Sequence, residues 1–393
     1  MHLTKEEEKT LRGGDGETLR KMIEILVALG DIYGADALIP IKSSQVSGVS
    51  YKTIGDAGLE WISDLKGTVK VPTVLNPAGM DMNNWERLGI DPEFAAKQIE
   101  IINAFGRLGI DPKCTCTPYY LNGFDVQYKD HVAWGESSAI SYANSVLGAR
   151  TNREGGPSAL AAALLGKTPN YGYHRVENRR PNFEIKVDFE TRGSDYGALG
   201  YIAGKLAGSN IPLFKLKSVP TRDEMKMLGA AMAASGAVAL YHIENVTPEM
   251  KDKEFVYEKP SESASIERKE IDAIYNAPSD VPNDIITVGC PHCSLEELQK
   301  IKTLLEGKTV IKEFWIFTSR ELANQNKELI SDIEKSGAKV VCDTCMVVSP
   351  AADHFKCMRV NSGKAYAYVP GMCGLKATYG SIETCVKDAT GEI

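Results

Sequence analysis

Six cysteines in three short segments are the residues of this chain best suited to chemistry, out of nine cysteines in all. Each segment holds two of them: KCTCTPYY has Cys114 and Cys116, GCPHCS has Cys290 and Cys293, and VVCDTCMVVSP has Cys342 and Cys345. Thiolates bind soft metal ions and act as nucleophiles. Because the N-terminus has no apolar signal-peptide core, disulfides are not expected, and the clustered thiols indicate metal binding or catalysis.

The spacing of these thiols leaves three kinds of site open. Cys290 and Cys293 have the spacing of a redox dithiol, but that interpretation leaves the other two segments unexplained. Cys290 with Cys293 and Cys342 with Cys345 form two Cys-x-x-Cys pairs, which resemble the halves of a structural zinc site. The two pairs of such a site, however, typically lie only about 12–20 residues apart. The third interpretation is an iron–sulfur cluster held by three thiolates from three loops, which keeps one iron open. Three further cysteines stand alone and are expected to be buried: Cys357, Cys373 and Cys385.

Predicted strands lead into the cysteine segments. A short apolar strand at 113–117 contains the first pair, strand Asp284–Val288 runs into the second, and strand Ala338–Cys342 runs into the third. The intervening elements are a helix after Ser294, a strand at 310–317 and a helix at 320–336. In open α/β sheets the loops at the carboxyl ends of strands form the ligand-binding crevice, so these positions favour a functional role for the thiols.

The rest of the chain also alternates helices and strands. Helices are predicted after Thr4, Asp15 and Asp91 and at 134–147, 195–207 and 221–235. Strands are predicted at 36–41, 71–75, 183–189 and 237–242, and the polar segment 247–265 is expected to be a linker. This pattern predicts an α/β fold with mostly parallel sheets. We expect an N-terminal region, 1–265, of two subdomains with a boundary near 180–215, followed by a C-terminal α/β domain, 266–393.

Composition and charge argue against several classes of protein. With 393 residues, 43% hydrophobic and 25% charged, the chain has the balance of a globular protein. Its net charge of -7, without a long basic run, argues against nucleic acids and anionic membranes as partners. The most apolar stretch, 228–243, is shorter than a membrane span, and the expected location is the cytoplasm.

Long segments across the whole chain resemble the aconitase X family. They are SSQVSGVSYKTIGDAGLEW (43–61), VLNPAGMD (74–81), CTCTPYY (114–120), WGESSAISYANSVLGARTNREGG (134–156), GCPH (289–292), DTCMVVSP (343–350) and NSGKAYAYVPG (361–371). The resemblance is nearest to the large subunit of the two-subunit archaeal form. It implies an aconitase-like multi-domain α/β/α architecture that lacks the small swivelling domain, which a partner subunit would supply in a heterodimer.

The resemblance also implies a cofactor and its ligands. Cys116, Cys290 and Cys345 match the family's ligands to a 4Fe–4S cluster with one open iron, which can appear as a 3Fe–4S form or be lost on oxidation. The neighbouring cysteines of the three segments would then lie beside the ligands. An open iron can bind both a carboxylate and a hydroxyl, which favours the loss of water.

The implied reaction converts (R)-mevalonate 5-phosphate to trans-anhydromevalonate 5-phosphate in a modified mevalonate pathway of isoprenoid synthesis. The substrate is thus a phosphorylated hydroxy acid, and the general base is expected on the partner subunit. Single-chain bacterial relatives dehydrate cis-3-hydroxy-L-proline, so this compound or another hydroxy acid is the alternative substrate. The alternative of a different class is a zinc or thiol redox module that uses Cys290 and Cys293.

Small and polar residues at predicted strand ends are the candidate substrate contacts: Gly48, Val49, Ser50, Asn76, Pro77, Gly135, Glu136 and Lys364. The backbone N–H groups at 48–50 can cradle an anion. The family match implies that Glu136 is a polar contact beside the cluster. From the local sequence alone, the alternative role of Glu136 is to stabilise the start of a helix with its negative charge. Lys364 is a candidate partner for the substrate's phosphate or carboxylate, and its alternative is a solvated lysine.

Three further residues are left without a firm role. Arg150 and Arg153 can clamp an anion through bidentate hydrogen bonds, or they can pair with acids of the protein. His292 lies between two cysteines and is expected to shape the turn, near the substrate.

Overall fold

The computed structural model describes residues 1–393, which alternate helices and strands along most of the chain. The α-helices are Lys5–Leu11, Glu17–Tyr33, Tyr51–Ser63, Pro92–Arg107, Ser137–Tyr142, Gly156–Leu165, Asp195–Ala207, Arg222–Gly236, Pro248–Lys251, Arg268–Tyr275, Leu295–Leu305, Arg320–Gln325, Lys327–Lys335, Gly363–Tyr368 and Ile382–Thr390. Two of them continue into π-helical turns, Ala143–Leu147 and Val369–Cys373. Short 3₁₀-helices occur at Trp85–Leu88, Pro118–Tyr120, Gly172–His174, Val176–Arg179 and Pro350–His354.

Three parallel sheets and one antiparallel pair form the framework. The three-stranded sheet has the spatial order Thr73–Leu75, Ser44–Val46, Ala133–Trp134. The four-stranded sheet has the order His242–Ile243, Pro212–Leu216, Phe183–Val187, Glu262–Ile266. The five-stranded sheet has the order Lys339–Cys342, Glu313–Thr318, Ile285–Val288, Cys357–Val360, Lys376–Tyr379. The antiparallel pair is Leu38–Pro40 with Lys167–Pro169.

The five-stranded sheet is covered on both faces. Every residue of its central strand, Ile285–Val288, is buried. Ile286 and Val288 pack with the helices that follow them, and Ile285 belongs to the large core that reaches the four-stranded sheet. A parallel strand covered on both faces reads as a continuous hydrophobic run, which is why the sequence predicts it well.

Capping residues begin the helices where the sequence predicts them. Asp91 accepts hydrogen bonds from the N–H groups of Glu93 and Phe94, and the helix begins at Pro92. A capping box formed by Ser294 and Glu297 opens the helix that follows the second cysteine segment. Such caps satisfy N–H groups that have no partner within the helix.

Several predicted elements differ in the structure. The segment 113–117 is not a strand: it makes one isolated bridge, between Leu75 and Cys114. The predicted linker 247–265 contains a short helix and most of the edge strand Glu262–Ile266. The side chains of this strand are mostly polar and exposed, so the sequence lacks the alternation of apolar and polar residues that predicts a strand. The predicted strand 237–242 is shortened because Ala237 ends the preceding helix with a φ of 57°.

The helix predicted at 134–147 begins as a strand, Ala133–Trp134, and ends in a π-helical turn. The helix predicted at 320–336 is broken at Asn326, whose φ and ψ are non-helical. No helix has the length and apolar character needed to cross a membrane.

The carboxyl ends of the three-stranded and five-stranded sheets meet at one place. Ala78, just after the strand Thr73–Leu75, forms a parallel bridge with Thr344. The backbone N–H of Ala78 donates to the carbonyl oxygen of Asp343 at 2.7 Å. Because loops at these ends carry most of the candidate residues, this junction is where the site forms.

Candidate active site

A cavity of about 260 Å³ lies at the junction of the two sheets. Its walls come from loops that are far apart in the sequence, and they are lined by Asn76, Pro77, Cys116, Gly135, Glu136, Ser137, Cys290, Cys345, Val347, Val348, Lys364, Tyr368 and Met372. A larger groove, of about 660 Å³, is lined mainly by polar and charged residues between 299 and 332 and contains none of the candidate residues. The smaller cavity is therefore the candidate active site.

Three of the six clustered thiols line this cavity: Cys116, Cys290 and Cys345. Burial raises the pKa of each of them, that of Cys290 to about 12. As free thiols they are therefore protonated, and metal binding would release their protons. The charge of Lys364 opposes the effect of burial on all three.

Backbone N–H groups affect two of these thiols, one of them through a hydrogen bond to the sulfur. The N–H of His292 donates to Cys116 Sγ at 3.1 Å. Burial raises the pKa of Cys345, and the N–H groups of Val347 and Val348 are among the groups that oppose this rise. Hydrogen bonds to sulfur are one of the means by which proteins tune iron–sulfur clusters.

The other three clustered thiols lie outside the cavity. Cys114 donates to the carbonyl oxygen of Pro112 at 3.5 Å. Cys293 is buried in the hydrophobic cluster between the five-stranded sheet and its helices. Cys342 is buried at the end of its strand. The two cysteines of GCPHCS therefore lie in different environments, one on the cavity wall and one in the core.

The three cavity thiols can be compared with the needs of a bound metal group. No three His, Cys, Asp or Glu side chains of the structure converge to hold one metal ion. An iron–sulfur cluster spreads its thiolate ligands over different corners, so its ligands line a cavity without meeting at one point. Three free thiols line one cavity, two of them buried and Cys345 partly buried, and a backbone N–H donates to the sulfur of Cys116, which fits this requirement.

Lys364 and Glu136 form a buried ion pair in the cavity wall. Lys364 Nζ also donates to Ser138 Oγ at 3.3 Å, and Glu136 Oε2 accepts from Ser138 Oγ at 2.5 Å and from the N–H of Ala139 at 2.8 Å. Burial acts to raise the pKa of Glu136, but Lys364 and these hydrogen bonds outweigh it and hold the pKa below its ordinary value. Burial acts to lower the pKa of Lys364, and Glu136 outweighs it, so both groups are charged at neutral pH.

Asn76 presents an unsatisfied polar atom within the lining of the cavity. Its Oδ1 is buried and has no hydrogen-bond partner in the protein. Leaving a buried acceptor unpaired costs about 1–3 kcal/mol, so a ligand that donates to it would be favoured. Pro77 and Gly135 lie beside Asn76 and Glu136 in the same lining.

The loop of Gly48, Val49 and Ser50 lies just outside the lining. Ser50 Oγ donates to the carbonyl oxygen of Val348, which lines the cavity, and Val49 O accepts from Gln98 Nε2. Gly48 has a φ of 73°, a conformation that favours glycine. The loop therefore supports the cavity wall instead of forming it.

Arg150 and Arg153 do not line the cavity. Arg150 donates to the carbonyl oxygen of His174, and Arg153 donates to that of Ala237. His292 is fully buried and does not line the cavity either, although its backbone N–H reaches Cys116. Burial lowers the pKa of His292 to about 4, so the ring is neutral at physiological pH.

Sequence reasoning missed several residues of the site. Tyr368 and Met372 line the cavity from the last helix and its π-helical turn, and Ser138 bonds both members of the ion pair. The serine follows Glu136 in WGESS, where a hydroxyl at a helix start was an available signal. The aromatic and sulfur side chains in YVPGMC gave no comparable signal.

A second charge network, of two buried aspartates and a partly buried arginine, joins the cavity loops to each other. Arg320 bonds both Asp81 and Asp343, and Asp81 Oδ2 accepts from the N–H of Cys342 at 3.0 Å. Asp81 is fully buried, and its other oxygen accepts from the N–H groups of Asn83 and Asn84. This network ties the loop after Thr73–Leu75 to the loop that carries Cys345.

Comparison with known proteins places the chain in one family. Family models described as the aconitase X first, second and third domains match residues 1–177, 181–276 and 283–391. A phosphomevalonate dehydratase large subunit of Methanosarcina mazei is 65% identical over 100% of this chain and 98% of its own length. A more distant relative, a cis-3-hydroxy-L-proline dehydratase of Pseudomonas aeruginosa, is 30% identical over 97% of this chain and 68% of its own length.

A solved structure supports the same assignment. The crystal structure of Thermococcus kodakaraensis aconitase X in its holo-form has a TM-score of 0.91 and 44% identity, over 99% of this chain and 100% of that chain. The expected aconitase-like α/β fold is therefore confirmed. Membership of the family also implies an iron–sulfur cluster. This chain belongs to the aconitase X family.

Proposed function

We propose that this chain is the large subunit of a hydro-lyase that removes water from (R)-mevalonate 5-phosphate to give trans-anhydromevalonate 5-phosphate. The observation that carries the proposal is one cavity that combines three free thiols with a buried lysine–glutamate pair. The high identity to a phosphomevalonate dehydratase large subunit, over nearly the full length of both chains, supports the choice of substrate.

Cys116, Cys290 and Cys345 are the proposed ligands of a 4Fe–4S cluster. Such a cluster, bound by three thiolates, supplies an open iron that polarises a hydroxyl and a carboxylate. Support comes from the three free thiols that line one cavity and from the N–H of His292, which donates to the sulfur of Cys116. The neighbouring cysteines, in other environments, have no role in this proposal.

The remaining cavity residues bind and orient the substrate. Lys364 keeps its proton, so it presents a cation to the carboxylate or phosphate. Glu136 stays ionised and can accept a hydrogen bond from the hydroxyl that leaves. Asn76 lines the same cavity, and the N–H groups of its side-chain amide can orient the substrate's carboxylate by donating to it.

The proton on the carbon next to the carboxylate is removed by a base on a small partner subunit. The relative of Methanosarcina mazei, which is named a large subunit, supports the existence of such a partner. Met372 lines the cavity and is 47% exposed, so the cavity wall reaches the surface there. A small swivelling-domain subunit that covers this side would exclude water and complete the site.

We also propose that the chain is divided into an N-terminal region and a C-terminal domain. An N-terminal region with two subdomains contains the three-stranded and four-stranded sheets, and a C-terminal domain contains the five-stranded sheet. The family models, which begin and end near 180 and near 280, support this division. The helix Arg268–Tyr275 packs on Asp195–Ala207, which favours placing the second boundary after residue 276.

The experiment is an anaerobic assay of the full chain with a small subunit from the same genome. Each preparation is supplied with iron and sulfide and is offered (R)-mevalonate 5-phosphate and cis-3-hydroxy-L-proline in parallel. We expect a brown protein that dehydrates the phosphorylated substrate only when both subunits are present. Turnover of hydroxyproline alone would favour the alternative substrate, and a colourless protein with stoichiometric zinc would contradict the proposal.

A further inference from the structure

His292 connects the three loops that carry the cavity thiols. Its ring Nδ1 lies 3.0 Å from the hydroxyl of Thr115, which precedes Cys116. Its ring Nε2 lies 2.8 Å from the carbonyl oxygen of Thr344, which precedes Cys345. His292 itself lies two residues after Cys290, so one side chain bonds residues next to the other two thiols.

The hydrogen bonds define a single tautomer of the ring. A carbonyl oxygen can only accept, so Nε2 carries the proton and donates to Thr344. The neutral ring then accepts at Nδ1 from the hydroxyl of Thr115. That hydroxyl oxygen in turn accepts from the N–H of Thr117 at 3.1 Å. Every polar atom of the ring is satisfied in a fully buried position, which favours one fixed arrangement of the loops.

The backbone of His292 adds further connections. Its N–H donates to Cys116 Sγ, and its carbonyl oxygen accepts from the buried Nζ of Lys226 at 3.3 Å. Lys226 lies on the helix Arg222–Gly236 and is also held by Glu297, at 2.5 Å. The backbone of His292 is therefore fixed by these hydrogen bonds. Because the ring bonds Thr115 and Thr344, it fixes the positions of their loops relative to that backbone.

We propose that His292 is a positioning residue that fixes the spacing of Cys116, Cys290 and Cys345, and that it does so before the cluster binds. The proposal rests on the proposed function for its cluster, but the hydrogen bonds that it uses lie within the chain. Loss of a residue that orients metal ligands typically costs roughly 10- to 100-fold in metal affinity. Without the ring, the three loops keep their own anchors but lose the link that sets their distances.

The test compares His292→Leu with His292→Gln, Thr115→Val and a matched control, His242→Leu. His242 is also fully buried, and its Nε2 bonds a carbonyl oxygen, that of Arg179, at 2.8 Å, but it lies in the four-stranded sheet. The side-chain amide of Gln can still donate to Thr344, so this variant should retain part of the function. The control carries the general cost of removing a buried imidazole.

The first measurement is amide hydrogen exchange in the cluster-free full chain, read by mass spectrometry. We expect His292→Leu to speed exchange at 114–117 and 343–348 by roughly tenfold, with a smaller change in Thr115→Val and none at these segments in the control. The second measurement is the uptake of iron and sulfide per chain during anaerobic reconstitution over a series of iron concentrations, which gives an apparent iron affinity. We expect a loss of roughly 10-fold or more in iron affinity for His292→Leu, a partial recovery for His292→Gln and full uptake for the control.

Each outcome decides the proposal. Unchanged exchange at both segments, or unchanged iron affinity, in His292→Leu overturns it. If that variant does not fold, His292→Gln and Thr115→Val give the same comparison with milder changes, and wild-type behaviour in both overturns it. A wild-type chain that takes up no iron contradicts the proposed function, while the exchange measurement still decides the role of His292.

Discussion

At the scale of single residues, burial decides the chemical state of the site. Burial raises the pKa of the three cavity thiols, and Lys364 opposes that rise in each of them. The positive charge of Lys364 therefore favours the ionised forms of both Glu136 and the three thiols. A thiolate in this cavity needs a positive neighbour, which a bound metal would provide most strongly.

The proposed choice of ligands predicts different effects for two cysteines. Cys116→Ala removes a thiol from the cavity wall and should abolish both iron binding and turnover. Cys293→Ala removes a buried core sulfur and should cost only about 1 kcal/mol of unfolding free energy, with iron binding kept. Iron per chain and turnover after anaerobic reconstitution measure both effects. Equal loss in the two variants would show that the ligands were assigned to the wrong thiols.

The ion pair predicts a double-mutant cycle. Lys364→Met leaves the buried carboxylate of Glu136 without its cation and should cost about 3–5 kcal/mol. Adding Glu136→Gln removes the stranded charge, so the double variant should be more stable than Lys364→Met alone. Denaturant unfolding of the cluster-free chain measures the cycle. Turnover should be lost in all of these variants.

The same pair predicts a pH dependence. The pKa of Glu136 is lowered, so its contribution to stability is present above the ordinary value of 4.5 and is lost as the pH falls through the folded value. In Lys364→Met, burial is the largest remaining influence and raises that pKa. The difference in stability between wild type and Lys364→Met should therefore shrink as the pH falls from neutral through 4.5. A difference that stays constant over this range would contradict the assignment of charges.

At the scale of elements, the parts predictable from sequence are those with a local cause. The cap at Asp91 and the apolar run Ile285–Val288 carry their signals in a few residues. The edge strand Glu262–Ile266 was missed because ESASI is mostly polar and exposed, so its pairing with Phe183–Val187 decides its structure. The segment 113–117, KCTCT, resembles a strand because cysteines alternate with β-branched threonines, but it is buried without sheet pairing beyond one bridge.

Gly289, in the turn just before Cys290, is expected to be sensitive to substitution. Gly289 has a φ of 95°, and an added Cβ would lie 2.2 Å from the carbonyl oxygen of Phe317 in the adjacent strand. Gly289→Ala should therefore cost about 2–5 kcal/mol and reduce iron binding. The control is Gly307→Ala, with a φ of 72° and no atom within 4 Å, which should cost only about 1–2 kcal/mol and keep iron binding. Unfolding midpoints and iron content test the pair of variants.

At the scale of the whole molecule, the site is a meeting of distant segments. Strand ends and the resemblance to aconitase X predict which loops contribute residues to the site. The contact between Glu136 and Lys364 joins residues 228 positions apart, and no local pattern encodes it. The same holds for His292, which looks in sequence like part of a thiol pair, although its ring bonds the loops of Thr115 and Thr344. Such contacts are set by how the sheets meet, which depends on packing over the entire chain.

Asp81, at the junction of the three-stranded and five-stranded sheets, is expected to be important for both stability and iron binding. Asp81→Ala would leave Arg320 with one carboxylate fewer and would leave the N–H of Cys342 unpaired in a buried place. The expected cost is about 3–5 kcal/mol, together with weaker iron binding, because the loop of Cys345 loses its tie to the opposite sheet. The matched control is Glu383→Ala, which breaks an ion pair with Lys300 whose side chains are 44% and 46% exposed. That change should cost less than about 1 kcal/mol and leave iron binding unaltered. If Asp81→Ala lost stability but bound iron with unchanged affinity, the junction would hold the fold together without positioning the site.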